Sequence, residues 1–115
     1  MAGKPPDSTQ LERLFATIES RRGADPESSY TAQLFAGGLG AIAQKVGEEA
    51  VEVVVAAHHT SSRHVTEESA DLLYHLLVLW AEVGIAPADV WAELARREGT
   101  SGLDEKAARP EPQPE

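Results

Sequence analysis

The sequence predicts an all-α fold of four to five helices, and three observations predict it. Apolar residues recur at i, i+3, i+4 and i+7 through the long stretches, as in Leu11, Leu14, Phe15 and Ile18. The apolar 42% of the chain is mostly Ala, Leu and Val with only 5% aromatic residues, which suits helices better than a β-sandwich. Gly and Pro punctuate the sequence between those stretches and hardly within them. At 115 residues the chain makes one domain with one core.

Taken in order, residues 1–8 are polar, carry Pro5-Pro6 and are expected to be a disordered lead-in. Thr9-Gln10-Leu11-Glu12 has the form of a capping box and opens a helix that runs to about Arg22, with Gly23 as its stop. After a turn-rich linker, Ser28 or Ser29 caps a short helical segment from Tyr30 to Ala36, which ends at Gly37-Gly38-Leu39-Gly40. Tyr30 and Thr31 sit where a ribose or base could be met, with ordinary packing as the plainer reading. Ala41 to about His58 forms the next helix, and Gly47 inside it suggests a close approach by a neighbour. A core helix follows from His64 or Val65 to Val83, with Gly84 past its end. Pro87 opens a last helix with Val90, Trp91 and Leu94 facing inward and Arg96-Arg97 at its end. The domain is expected to span 9–98, with 99–115 as a C-terminal tail that is disordered from Pro110 onward.

Chemistry concentrates on two acidic runs. In Gln44 to Glu52, at about 100° per residue, Lys45, Glu48, Glu49 and Glu52 fall within one arc of the helix, beside the apolar arc of Ile42, Val46, Ala50 and Val53. On the core helix, Glu68 and Asp71 repeat the i, i+3 spacing, followed by Leu-Leu-Tyr-His-Leu-Leu-Val-Leu-Trp, which is apolar nearly all round. A Glu-Glu-x-x-Glu run alone is usually a solvated face. Carboxylates buried on an apolar helix, by contrast, need a proton, a cationic partner or a metal. Between Lys45 and Arg96 only Arg63 carries a permanent positive charge. The five acids therefore read as a Mg²⁺ site between two helices, since hard divalent cations prefer oxygen donors and bridge to phosphates. Arg63 is available to a phosphate, and His75, four residues after Asp71, is placed to hydrogen-bond it or simply to be a satisfied core histidine.

Composition excludes other classes. Without Cys there is neither a disulfide framework nor a Cys-based zinc site. The net charge of −9 argues against a nucleic-acid partner, and no apolar stretch is long enough for a membrane, so a soluble cytoplasmic protein is expected. Five of those negative charges belong to the acidic set itself, which a cation would offset.

The segments Ser29-Tyr-Thr-Ala-Gln-Leu-Phe35, Ile42-Ala-Gln-Lys-Val-Gly-Glu-Glu-Ala-Val-Glu52 and Glu67-Glu-Ser-Ala-Asp71 closely resemble the phosphoribosyl-ATP pyrophosphatase family, over about Leu11 to Arg109. The acidic motif is shared with the wider MazG-like all-α nucleotide pyrophosphohydrolases, so it marks the chemistry more firmly than the substrate. The resemblance implies a MazG-like helical bundle that hydrolyses phosphoribosyl-ATP to phosphoribosyl-AMP and pyrophosphate, the second step of histidine biosynthesis. It implies Mg²⁺ ligation by Glu49, Glu52, Glu68 and Asp71, with Glu48 as a further ligand or water-orienting base and Lys45 facing the phosphates. It also implies a homodimer or higher homo-oligomer. Val51, Val55, Leu77 and Trp80 give more apolar surface than one chain is expected to hide, and tail residues Lys106 and Arg109 are available to phosphates. Two alternatives stay open: a house-cleaning (d)NTP pyrophosphohydrolase, and a helical dimer whose acids bind cations without catalysis.

Overall fold

In the computed structural model, which describes residues 3–59 and 61–110, five helices follow one another with no strand among the described residues. They are α1 (Thr9–Ser20), α2 (Tyr30–His59), α3 (Ser62–Val83), α4 (Pro87–Arg97) and α5 (Gly102–Ala108). The disorder expected at Met1 and Ala2 and beyond Pro110 lies outside the described residues. No single described helix is long and apolar enough to cross a membrane.

The two longest helices, α2 and α3, form an antiparallel hairpin, so Tyr30 and Thr31 at the start of α2 meet His75 and Tyr74 late in α3. Its core is Ile18, Leu34, Ile42, Leu77, Val78 and Ala81, flanked by Leu14, Phe15 and Trp80. Helix α1 lies against α3, and α4 is joined to it by the Trp91 indole N–H, which donates to Glu12 at 2.7 Å, while Trp80 and Trp91 meet edge to face. Arg22 ties three helices together. Its guanidinium donates to the Ala81 carbonyl at 2.6 Å, stacks 4.4 Å over the Phe35 ring and pairs with Glu19 and Glu82.

The short segment and the acidic helix expected from the sequence are two legs of one run, α2, broken at Gly38. Gly38 has φ 83° and ψ −179°, a backbone region essentially reserved for glycine, so the chain changes direction there between two helical legs. At the end of α3, Gly84 takes a left-handed conformation and the Gly84 and Ile85 amides both donate to Trp80.

Four expectations are corrected. The capping box does not form. Thr9 is already helical, and the Asp7 carboxylate two residues earlier accepts from the Thr9 amide (2.9 Å) and hydroxyl (2.6 Å), which holds its pKa below the ordinary aspartate value. Helix α3 is not covered all round, since Leu73 is 42% exposed. Leu94 points outward at 56% exposure, because the inward face of α4 is set by Trp91 meeting α1 and α3. Leu77 is fully buried and contributes no free apolar surface, while Trp80 is partly covered by Trp91 within one chain.

The tail contains its own helix, α5, opened by Ser101, whose hydroxyl accepts from the Asp104 amide. Glu105 anchors it. This buried carboxylate accepts from Arg96 at 2.6 Å and lies 3.7 Å from Arg97 and 3.5 Å from Arg109. The hydrogen bond from Arg96 lowers the Glu105 pKa, and those from Arg96 and Arg97 hold Glu93 down to about 2. Because the Glu105 pKa lies below its unfolded value of 4.5, the anchoring is complete above about pH 4.5 and is lost as pH falls through the lowered folded value. Amide-exchange protection across 102–108 is therefore expected to fall in that acid window, and Glu105→Gln is expected to remove it at neutral pH while α2 and α3 stay protected.

Candidate functional site

The hairpin brings acids from both runs together. One carboxylate oxygen each from Glu49 on α2 and Glu68 and Asp71 on α3 lies within 4.8 Å of the others. The i, i+3 spacing of Glu68 and Asp71 puts both on the side of α3 that faces Glu49. Glu49 and Glu68 are partly buried, and Asp71 is exposed, so the trio opens to solvent rather than being sealed in the core. Three hard oxygen donors converging from two helices form a set able to hold a divalent cation. His64 lies 3.4 Å from Glu68 at its edge.

Glu48 and Glu52 do not join this trio. Glu52 lies about 60° around α2 from Glu49 and Glu48 about 100°, which turns both away from α3 and toward the exposed side. Glu48 is engaged locally: Lys45 lies 3.5 Å from one of its oxygens and the Gln44 amide donates to the other at 3.2 Å. Glu52 is exposed, with no ion pair among the described residues. The expectation that Asp71 would be buried is corrected: it is exposed, because the trio lies nearer the turn that joins α2 to α3 than the core around Val78 does.

Lys45 stands between Glu48 and Glu49, 3.7 Å from the latter. Its pKa is raised by the neighbouring Tyr30 first and by Glu48 and Glu49 after it, so the ammonium is charged throughout the neutral range. Lys45 also forms one wall of a cleft of about 380 Å³ between the two legs of α2, with Tyr30, Gln33, Leu34, Ala41 and Gln44 as the rest. No motif in the sequence marks the cleft, although its cause is visible in the Gly37-Gly38 pair between two helical stretches.

Tyr30, Thr31 and His75 belong to two hydrogen-bonded pairs beside this cleft, packed together by the Tyr30, Tyr74 and His75 rings. The Tyr30 hydroxyl lies 3.1 Å from His75 Nε2, and the Thr31 hydroxyl bonds that of Tyr74. His75, 6% exposed, reaches Asp71 through Nδ1, but its partner is the Asp71 backbone carbonyl at 2.8 Å and not the carboxylate. An i, i+4 pair on a helix points the imidazole back along the axis toward the preceding turn. Thr31 serves packing through Tyr74. Of the remaining candidates, Arg63 is 79% exposed and pairs loosely with Glu67, Arg109 is engaged by Glu105, and Lys106 is exposed on α5.

The phosphoribosyl-ATP pyrophosphohydrolase family model matches residues 11–98. The chain is 64% identical over 103 residues to the phosphoribosyl-ATP pyrophosphatase of Paramagnetospirillum magneticum, covering 90% of this chain and 94% of that protein. It is 63% identical over 105 residues to the enzyme of the same name from Rhodospirillum rubrum, covering 91% and 90%. With that of Azospirillum brasilense it shares 62% over 99 residues, 86% and 89% of the two chains. The matched region runs from α1 to the end of α4 and contains the whole acidic trio together with Lys45, Tyr30 and His75, so the chain belongs to the phosphoribosyl-ATP pyrophosphohydrolase family.

Proposed function

We propose that this protein hydrolyses phosphoribosyl-ATP to phosphoribosyl-AMP and pyrophosphate in histidine biosynthesis, with Mg²⁺ held by Glu49, Glu68 and Asp71. The observation that carries this reading is the meeting of three carboxylates from two helices within 4.8 Å, with a lysine alongside, in a chain of this family. When bound, the ion supplies charge neutralisation for the phosphates and acidifies water. The chain's own groups do the rest. Lys45 meets the negative charge of the phosphates from the flank of the trio. Glu52, one turn along α2 from Glu49 on its exposed flank and free of an ion pair among the described residues, is the group assigned to accept the proton of the attacking water. Water adds at the α-phosphorus, the bond from that phosphorus to the oxygen bridging the α and β phosphates breaks, and pyrophosphate leaves with that oxygen.

A second copy of the chain completes the domain in this reading. Val51, Val54 and Val55 recur at i, i+3, i+4 on one face of α2 and are 59%, 57% and 47% exposed. Glu48 and Glu52 lie on the helix between this stripe and Glu49, so a homodimer closed on the valines brings its partner to the border of the acidic site. The test is pyrophosphate release from phosphoribosyl-ATP and from a dNTP panel, with and without Mg²⁺, on a preparation whose mass is measured in solution. Mg²⁺-dependent release from phosphoribosyl-ATP by a particle of twice the 12.3 kDa chain mass is expected. Preference for a dNTP would move the protein to the house-cleaning class, Mg²⁺ binding without release would leave a cation-binding protein, and an active monomer would remove the dimer.

A further inference from the structure

We propose that the cleft between the two legs of α2 is the subsite for the sugar of the nucleotide, and that the Tyr30 hydroxyl oxygen, aimed by His75, accepts a hydrogen bond from a ribose hydroxyl. The inference rests on the reading that the chain takes a nucleotide. Its volume of about 380 Å³ falls in the lower part of the range that small-molecule sites occupy, roughly 300–1,000 Å³. Lys45 is shared: it lines the cleft and pairs with Glu49 of the acidic trio, so a nucleotide whose phosphates meet Lys45 and the trio has its sugar beside the cleft.

Hydrogen-bond logic then selects the occupant. A backbone carbonyl only accepts, so the His75 nitrogen facing the Asp71 carbonyl carries the proton. In the neutral ring Nε2 is consequently an acceptor, and the Tyr30 hydroxyl donates its proton to it. What Tyr30 offers outward is an oxygen with lone pairs alone. The cleft's two amides each have one N–H engaged, Gln33 donating to the Pro26 carbonyl at 2.8 Å and Gln44 to Glu48 at 3.2 Å, which leaves each a second N–H and its carbonyl oxygen. With the Lys45 ammonium meeting the phosphates, the remaining wall offers both acceptor oxygens and amide N–H groups, which suits ribose hydroxyls that donate and accept, and the Tyr30 oxygen itself takes only a donor. His75 is the positioning residue in this scheme, since it acts through Tyr30.

The experiment is a chemical-shift titration of the full chain with AMP and with 2′,3′-dideoxy-AMP, for the wild type, Tyr30→Phe and His75→Gln. Wild type is expected to prefer AMP by about 5-fold, the scale of one half-exposed neutral hydrogen bond. Tyr30→Phe is expected to bring the ratio near one by weakening AMP alone. His75→Gln, whose amide oxygen can still accept from Tyr30, is expected to retain the preference and a fourth protein, His75→Leu, which has no acceptor, to lose it, a contrast that a purely structural role would not produce. Equal binding of the two nucleotides by wild type, an unchanged ratio in Tyr30→Phe, loss of the ratio in His75→Gln with the helical fold intact, or no binding of AMP at millimolar concentration would each overturn the proposal. Titration is independent of turnover: the expected ratios without pyrophosphate release would remove the reaction and keep the subsite, and turnover without the ratios would do the reverse.

Discussion

Replacing Asp71 by Asn is expected to lower Mg²⁺-dependent pyrophosphate release by about 10³-fold, the scale seen when a group that stabilises transition-state charge is removed. The substitution keeps the size and shape of the side chain and deletes one of the three negative charges that converge between α2 and α3. Its side chain lies outside the core, and His75 bonds the backbone carbonyl of residue 71, which Asn also has, so α3 and the Tyr30 group stay in place. Stability separates the two roles of the residue. Three like charges within 4.8 Å repel one another when no cation is present, so the metal-free variant is expected to melt slightly above metal-free wild type. Added Mg²⁺ is expected to stabilise wild type and to have little effect on the variant. Full turnover by Asp71→Asn, or an unchanged Mg²⁺-induced shift in Tm, would take Asp71 out of the site.

The second large effect concerns folding rather than chemistry. Leu77 is 1% exposed in the core, beside Val78 and Ala81 on α3 and with Ile42 from α2 and Ile18 from α1. Leu77→Ala removes the contacts that join three helices and leaves a cavity, at a cost of about 2–5 kcal/mol. Small domains hold only about 5–15 kcal/mol in total, so the expected loss in Tm is about 10–20 °C by thermal melting. Leu103→Ala is the control. That side chain is 83% exposed on α5, and its removal is expected to change stability by no more than about 0.5 kcal/mol. A Leu77→Ala protein that melts with wild type would mean that the hairpin is held elsewhere.

Local pattern made the helices and much of the site legible. The apolar recurrence from Leu11 to Ile18, the left-handed stop at Gly84 and Pro87 at the start of α4 all depend on neighbours in sequence, and the structure agrees with them. The pairing of Glu49 with Glu68 and Asp71 was readable for the same reason, as two i, i+3 patterns on adjacent helices. What escaped depends on the angle at which helices meet. The 60° between Glu49 and Glu52 leaves the first partly buried beside α3 and the second exposed on the flank of α2, a difference that spacing alone does not show. Glu105 was unremarkable in sequence because its arginines come from the preceding helix as well as from its own. His75 was placed next to Asp71 correctly, but whether an imidazole meets a side chain or a main-chain oxygen is decided by its rotamer.

The break in α2 has a further consequence for how the protein can change. Tyr30 and Lys45 sit on opposite sides of Gly38, so one pair of backbone torsions sets the span from the aromatic wall to the acidic trio. A side chain at residue 38 would have open space around it and yet be strained in that conformation. Such a variant would retain every reactive group of the wild type while misjudging the reach between them, which makes this achiral position a ruler for the ligand and not merely a bend in the chain.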